Sequence, residues 1–254
     1  MSANEPWPVD HTGTDWIIPD WPAPAQVRAL VTTRNGGVSS APYASLNLGD
    51  HVGDDIAAVT ANRALVGRHL PAAPLWLTQV HGTTVADTAS AAQGSEADAS
   101  ISRGNIASAI MTADCLPVLF CDRAGTVVAA AHAGWRGLCD GVLEATITAM
   151  GIPGTDLLAW LGPAIGPARF EVGEEVRAAF VAHDAAAASA FTPGAQAGKW
   201  LADMYLLARQ RLASQGLTAV YGGDFCTVTD SARFFSYRRD RITGRMASLV
   251  WLQD

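Results

Sequence analysis

The chain has 254 residues, of which 49% are hydrophobic and only 16% are charged, and its formal net charge is −7. This composition provides apolar surface for a large core and excludes a disordered chain. The negative charge argues against a surface for nucleic acid or anionic membrane, and no apolar run reaches the roughly 18 residues of a membrane span. The four cysteines form no CxxC pair and the first residues resemble no secretory signal, so we expect a cytoplasmic protein with free thiols.

Apolar runs bounded by turn residues predict strands in the first third of the chain. The runs VRALVTT (27–33) and APLWLTQVHG (73–82) are β-compatible, and the stretch 34–55 between them is rich in turn residues. The acids Asp54 and Asp55 precede a helical pattern over 56–70, where they favour the helix N-terminus.

The second half of the chain mixes helical and strand patterns. Helices are predicted over 138–150, over 172–187 and over 200–215 with Gly216 as the residue after the last turn, and the final run 246–252 predicts a strand. Because strands and helices do not alternate regularly, the pattern favours one layered α+β domain over residues 1–254 rather than a doubly wound sheet.

A hairpin in the middle of the chain brings a cysteine near a histidine. The runs LPVLFC (116–121) and TVVAAAH (126–132) flank the turn Asp122–Gly125. If Asp122 pairs with Gly125 across a two-residue loop, Cys115 directly faces His132, with Cβ atoms about 5 Å apart. Such a pair can share a metal ion or act as nucleophile and base. A three-residue loop would move the pairing by one residue.

Each of these residues also has a simpler interpretation. A cysteine among apolar strand residues is commonly an inert part of the core. Asp114 could orient a ligand or be a solvated residue at the strand end. Arg136 follows His132 at a helix entrance that suits an anion such as phosphate, or it is a surface residue.

A metal site at this hairpin needs another ligand. His81 in QVHG lies where a run ends in a turn, which leaves its imidazole at a rim, and His51 is the main competitor. The remaining histidines, His11, His69 and His183, lie in the N-terminal segment or in helical surroundings.

Six motifs resemble those of one family. They are TTRNGGVSSAPYASLNLGDHVGDD, LTQVHG, ADC, AHAGWRG, LGPAIGPARFEVGEEV and FFSYRRDRITGRMASLVWL. As an ordered set they resemble the YfiH family, also called the multicopper polyphenol oxidase or laccase-domain family, which includes FAMIN. The resemblance implies a sandwich-like single domain layered α/β/β/α, with mixed sheets flanked by helices.

The resemblance also implies a metal and an activity. The ligands it implies are His81, Cys115 and His132 for zinc, with copper as an alternative metal. Three protein ligands leave a zinc position open, as catalytic sites do. Family members carry out phosphorolysis of adenosine, inosine and methylthioadenosine and deaminate adenosine. Purine nucleosides and phosphate are thus the implied partners, and the oligomeric state stays open.

Several residues are candidates for contact with such a substrate. Arg34, Arg136 and Arg238 could hold phosphate or the leaving group, and the aromatics before Arg238, including Phe235, could stack on a base. Cys115, Asp114 and Arg238 are the catalytic candidates. Arg238 can equally belong to a solvated turn.

Three other functions compete. In a cysteine amidohydrolase, Cys115 would be the nucleophile and His132 the base, and some relatives are described as editing a peptidoglycan precursor that carries a wrong serine (UDP-MurNAc-L-Ser). A copper polyphenol oxidase is disfavoured because six histidines are too few for several copper centres. A non-enzymatic binding module would explain the cluster only as a structural metal site.

Overall fold

Residues 14–253 are the part of the chain described by this computed structural model, and they form six α-helices and twelve strands. The strands are β1 (Val27–Val31), β2 (Val85–Asp87), β3 (Ala99–Ser102), β4 (Ser108–Thr112), β5 (Leu116–Asp122), β6 (Val128–Ala133), β7 (Leu157–Leu161), β8 (Glu171–Gly173), β9 (Phe191–Pro193), β10 (Lys199–Ala202), β11 (Val220–Gly222) and β12 (Met246–Leu252). The helices are α1 (Ile56–Gly67), α2 (Trp135–Asp140), α3 (Val142–Met150), α4 (Glu174–His183), α5 (Met204–Ser214) and α6 (Tyr237–Asp240).

The strands form one large mixed sheet and two small antiparallel ones. The large sheet has the order β11-β7-β5-β6-β3-β2, with parallel pairs at its two edges and antiparallel pairs between them. A three-stranded sheet has the order β1-β12-β4, and a second has the order β8-β10-β9. The central strands of the large sheet are buried along their whole length, as expected for a sheet covered on both faces.

Alternating residues of the central strands contribute to two different cores. Val118 and Phe120 of β5 face helices α2 to α5, whereas Leu119 faces the sheet β1-β12-β4. The far side of that sheet packs against α1, with Leu249 and Val66 in the same cluster. The order of layers is therefore helix, sheet, sheet, helices. This confirms the expected layered α/β/β/α arrangement and the α+β class.

Several sequence-predicted elements are found where they were expected. The strands at 27–33 and 246–252 are β1 and β12, which pair antiparallel, and the two hairpin runs are β5 and β6. Helix α1 begins after Asp55, whose side chain accepts a hydrogen bond from the N–H of Ala57. Gly216 has a φ of +77°, which suits the residue that terminates α5.

Other elements differ from prediction. The run 73–82 is not a strand; it forms only isolated bridges, Leu75 with Ser108 and Thr78 with Glu96. The helix expected over 138–150 is divided into α2 and α3 because Gly141 adopts a φ of +103°.

Two further helices are shorter than expected. The helix expected over 172–187 is α4, followed by a 3₁₀ segment at 185–190. The one expected over 200–215 begins only after Asp203, because the preceding residues form β10. None of the helices in the described part of the chain combines the length and hydropathy needed to cross a bilayer. His11 lies outside the described residues.

Candidate metal centre

Strand pairing places Cys115 and His132 at the same end of the β5–β6 hairpin. Pro117, not Cys115, is directly opposite His132, so the expected register is wrong by two residues. The reason is the loop: Asp122 pairs with Val127, and its N–H donates to the carbonyl of Val127 at 3.1 Å. A shift of two residues keeps side chains on the same face of a strand. Cys115 therefore still lies on the His132 side, just before β5 begins.

His81 completes a three-residue cluster with this pair. One ligand atom from each of His81, Cys115 and His132 lies within 4.8 Å of the others. The Cys115 Sγ and His81 Nε2 atoms are 3.8 Å apart, and the two imidazole centroids are 4.7 Å apart. Bonds of about 2.0–2.3 Å to one ion span up to about 4.6 Å between two donors, so this cluster has nearly the size that an ion needs. Two imidazoles and a thiolate are donors that fit zinc.

The Asp98 carboxylate links two of the segments that carry the cluster residues. It accepts hydrogen bonds from three successive backbone N–H groups, those of Val80 (3.1 Å), His81 (2.9 Å) and Gly82 (2.7 Å). It also lies 2.8 Å from Nδ1 of His132. Because Nδ1 is used in this way, Nε2 of His132 is the atom left for an ion. Asp98 is fully buried, and these four partners replace the water that it loses.

Charges within the cluster favour a thiolate on Cys115. Burial opposes ionisation, but the neighbouring His132 and His81 outweigh it and lower the pKa of the Cys115 thiol to about 6. Burial also disfavours the charged form of His132, whereas Cys115 and Asp98 outweigh burial and raise the His132 pKa to about 9. The thiolate is the form of cysteine that binds metals or acts as a nucleophile.

The backbone at the cluster is strained and tightly packed. His81 has a φ of +63° and Asp114, next to Cys115, has a φ of +91°. A non-glycine residue with positive φ costs on the order of 1 to 3 kcal/mol of conformational free energy. Such residues persist where surrounding contacts hold them in place. Gly134 leaves room for His81, because a Cβ there would lie 2.7 Å from the His81 Cδ2 atom and 3.3 Å from the Cys115 sulfur. This packing explains why a glycine stands two residues after the histidine in AHAGWRG.

Asp114 holds the C-terminal motif against the hairpin. Its carboxylate accepts hydrogen bonds from the hydroxyls of Thr227 (2.6 Å) and Ser236 (3.1 Å) and from the backbone N–H of Arg238 (2.6 Å). Its side chain is buried, so the solvated alternative does not apply. Asp114 thereby fixes the backbone position of Arg238, from which its side chain extends.

Two cavities meet at Cys115. The polar cavity has a volume of about 260 Å³ and is lined by the three cluster residues together with His51, Gln79 and Arg245. The aromatic cavity has a volume of about 150 Å³ and is lined by Trp135, Phe170 and Arg238 among others. Both linings include Ala113, Cys115 and Tyr237. The sulfur therefore lies in the wall that the cavities share.

The structure separates the remaining candidates. Arg238 lines the aromatic cavity, where its guanidinium lies 5.4 Å from the Phe170 ring and donates to the carbonyl of Glu171. Arg136 is exposed, and its guanidinium carbon lies 4.7 Å from the centroid of the Trp135 ring.

Arg34 and Phe235 lie apart from both cavities. The Arg34 guanidinium donates to the carbonyls of Ala44 and Ser231 and packs 4.7 Å from the ring of Phe235. Phe235 has no exposed surface. Tyr237, two residues further along, lines both cavities instead.

Sequence reasoning missed several residues of the site. Asp98 stands in the run EADAS, where a carboxylate directly before a strand is the available signal. Gln79 belongs to the QVHG motif, and its side-chain amide makes two 2.8 Å hydrogen bonds with the backbone of Met111. Arg245 carries no signal beyond a charge just before an apolar strand. His51, the competing ligand, lines the polar cavity but lies outside the cluster.

Comparison with known proteins identifies the family of this chain. A family model described as multi-copper polyphenol oxidoreductase laccase matches residues 28–253. A purine nucleoside phosphorylase of Pseudomonas aeruginosa is 63% identical over 240 residues, which cover 94% of this chain and 99% of that protein. The purine nucleoside phosphorylase YfiH of Escherichia coli is 56% identical over 241 residues, covering 93% and 98%.

Solved structures agree with these relatives. The crystal structure of a Neisseria meningitidis protein matches with a TM-score of 0.91 at 54% identity and covers 95% of this chain and 100% of that one. A Bacillus licheniformis protein described as hypothetical protein YfiH matches with a TM-score of 0.83 at 31% identity, covering 90% and 93%. Sequence and fold therefore agree over nearly the whole chain, and this chain belongs to the YfiH family, whose model is described as multi-copper polyphenol oxidoreductase laccase.

Proposed function

We propose that this chain is a zinc-dependent purine nucleoside phosphorylase. It would convert adenosine, inosine and methylthioadenosine to free base and ribose 1-phosphate, with deamination of adenosine as a second activity. The observation that carries the proposal is the His81, Cys115 and His132 cluster at the wall between a polar and an aromatic cavity. The names of the Pseudomonas and Escherichia relatives support the same activity.

The two cavities differ in the part of a nucleoside that each suits. Trp135 and Phe170 in the aromatic cavity offer flat apolar faces to a purine, and Arg238 offers hydrogen-bond donors at its edge. Arg245 and Gln79 in the polar cavity suit phosphate and ribose hydroxyls. The ribose would then lie beside Cys115, where the cavities join.

Phosphorolysis replaces one bond at the ribose with another. An oxygen of phosphate bonds to the anomeric carbon while the bond from that carbon to the base nitrogen breaks, and the departing base keeps the electron pair and gains a proton. Arg245 would orient phosphate, and Arg238 would stabilise the departing base. Asp114 is a positioning residue for Arg238. A zinc ion held by the three ligands would supply a Lewis acid that stabilises developing negative charge.

Deamination of adenosine fits the same location. Water adds at C6 of the purine and ammonia leaves, which requires a polarised oxygen beside the ring. Arg34, Arg136 and Phe235 lie outside the cavity linings, so this proposal assigns them no contact with substrate.

The test combines metal content with product identity. Purified protein is analysed for bound metals and then incubated with each nucleoside, with and without phosphate, while mass spectrometry follows base and ribose 1-phosphate. We expect zinc, phosphate-dependent products and a loss of about 100-fold or more in rate for His81→Ala and after chelation. The His69→Ala variant is the control, since His69 lies outside both cavities. Full phosphorolysis by metal-free protein would overturn the zinc assignment, and copper in place of zinc would revise the metal.

A cysteine amidohydrolase is the second candidate. The lowered pKa of Cys115 and its contact with imidazole favour a nucleophilic thiolate. A muramyl precursor with an amide-linked serine is the matched substrate. Amide cleavage that is abolished by Cys115→Ala and unaffected by chelation would favour this candidate over the phosphorylase.

A further inference from the structure

A second group of metal-ligating side chains lies on the helical side of the molecule. Cys139 and Asp140 end helix α2, and His183 ends helix α4. One ligand atom of each lies within 4.8 Å of the others, a limit that the His81, Cys115 and His132 cluster also meets. Helices α2 and α4 pack against one another, which brings these ends together. None of the three residues lines either cavity described above.

Local backbone structure determines where the two helices end. Gly141, with a φ of +103°, stops α2 directly after Asp140, so the chain turns there into α3. Helix α4 ends at His183 because the next residue, Asp184, is extended. The C-terminal end of a helix such as α4 carries partial negative charge, which favours a bound cation.

The group of Cys139, Asp140 and His183 is open to solvent on one side. Cys139 is only 3% exposed, whereas Asp140 and His183 are exposed. An ion could therefore approach from solvent through the carboxylate and imidazole and reach the sulfur at the base of the group.

The neighbouring charges do not oppose a cation. Arg211 is the nearby positive group, and it donates to the carbonyl of Cys139 at 3.2 Å. Its guanidinium forms an ion pair with Glu144 at 2.5 Å, so its charge is offset locally. Asp140 adds a negative charge directly at the group.

We propose that Cys139, Asp140 and His183 form a second site, which binds a divalent transition-metal ion of the zinc class. One thiolate, one imidazole and one carboxylate are donors suited to Zn²⁺ or Co²⁺, whereas Mg²⁺ and Ca²⁺ prefer oxygen ligands alone. A bound ion would connect the ends of α2 and α4. Helix α2 begins with Trp135 of the aromatic cavity, so the ion would also hold the helix that carries this part of the wall. The site does not depend on the function proposed above.

Cobalt spectroscopy tests the site on the full chain. Metal-free protein is titrated with Co²⁺ while the near-ultraviolet charge-transfer band of a cobalt-thiolate bond is recorded. The Cys115→Ser variant removes the thiolate of the first cluster, so we expect its remaining band to come from Cys139. Adding His183→Ala to this variant should weaken cobalt binding by at least about tenfold. Adding Cys226→Ser instead, which removes another partly exposed thiol, should leave the titration unchanged.

Zinc stoichiometry provides a second measurement if Cys115→Ser does not fold. Wild-type protein loaded with zinc and passed through a desalting column should hold two equivalents, and His183→Ala should hold one, with His69→Ala as the matched control. No cobalt-thiolate band in folded Cys115→Ser, or a band unaffected by His183→Ala, would overturn the proposal. A single equivalent of zinc in both wild type and His183→Ala would do the same.

Discussion

At the scale of single residues, Asp98 supports the cluster through one carboxylate. It holds the N–H groups of the turn at His81 and the Nδ1 atom of His132 at the same time. Burial alone would raise the pKa of Asp98, but hydrogen bonds from His132, Gly82 and His81 outweigh burial and lower it. An ionised carboxylate at this position therefore orients both imidazoles, as outer partners of metal ligands commonly do.

Neutralising that carboxylate should weaken metal binding. In Asp98→Asn one oxygen remains for backbone donors, while the charge that orients His132 is lost. We expect zinc affinity to fall about 10- to 100-fold, measured by competition with a chromophoric chelator. The exposed Asp20→Asn is the control and should bind as wild type does. Unchanged affinity in Asp98→Asn would show that the hydrogen bond to His132 contributes nothing to the ligand set.

The absence of a side chain at Gly134 allows a steric test of the cluster. Its φ of −61° suits any residue, yet a Cβ would crowd His81 and Cys115. Gly134→Ala should therefore displace His81 and lower zinc affinity by at least about tenfold, read from the same competition assay. Gly67→Ala is the matched control because nothing lies within 4 Å of its added Cβ. Equal affinity in the two variants would contradict this account.

At the scale of elements, the hairpin shows what a sequence pattern can predict. The pattern correctly indicates two strands and the shared side of Cys115 and His132. It misses the register, because Asp122 uses its side chain as an acceptor for the N–H groups of Thr126 and Val127 and so stabilises a longer loop. Likewise, one positive φ at Gly141 divides a helix that periodicity predicts as continuous. Single side-chain and backbone interactions of this kind override propensity.

The Asp122 loop predicts a pH-dependent difference in stability. Burial opposes its ionisation, but hydrogen bonds from Val127 and Thr126 outweigh burial and lower its pKa below the ordinary value of 3.8. The carboxylate therefore contributes its full stability above pH 3.8, and this contribution is lost as the pH falls through the lower folded value. We expect Asp122→Asn to reduce the free energy of unfolding by about 1 to 2 kcal/mol near neutral pH.

Urea unfolding of both proteins at several pH values measures this effect. The difference between wild type and Asp122→Asn should narrow progressively below pH 3.8. The Asp20→Asn control should stay near wild type throughout. A difference that is constant with pH would mean that the carboxylate charge is not what stabilises the loop.

At the scale of the whole molecule, two packed sheets separate α1 from the other large helices. Patterns and family resemblance together predict this architecture and the three residues that cluster, His81, Cys115 and His132. They do not predict the cavity linings, because Gln79, Arg245 and Trp135 come from distant parts of the chain and meet only after the sheets pack. Buried strands also lack the polar alternation that would identify which face meets which layer.

The interface between the sheets should contribute to stability through its buried apolar side chains. Leu119 is fully buried there. Leu119→Ala should lower the free energy of unfolding by about 2 to 5 kcal/mol, because it removes buried methyl groups and leaves a cavity. Ile18→Ala, at a side chain that is 49% exposed, should change stability by less than about 0.5 kcal/mol. Denaturant midpoints compare the two variants, and similar losses in both would contradict a stabilising role for Leu119 at this interface.

The position of Cys115 in a shared wall has a consequence for inhibition. An electrophilic compound that alkylates this sulfur would block both cavities with one covalent bond, because the sulfur lines the polar cavity and the aromatic cavity. The same adduct would also remove the only sulfur donor of the first cluster. A compound too small to fill either cavity could thus inactivate the protein completely.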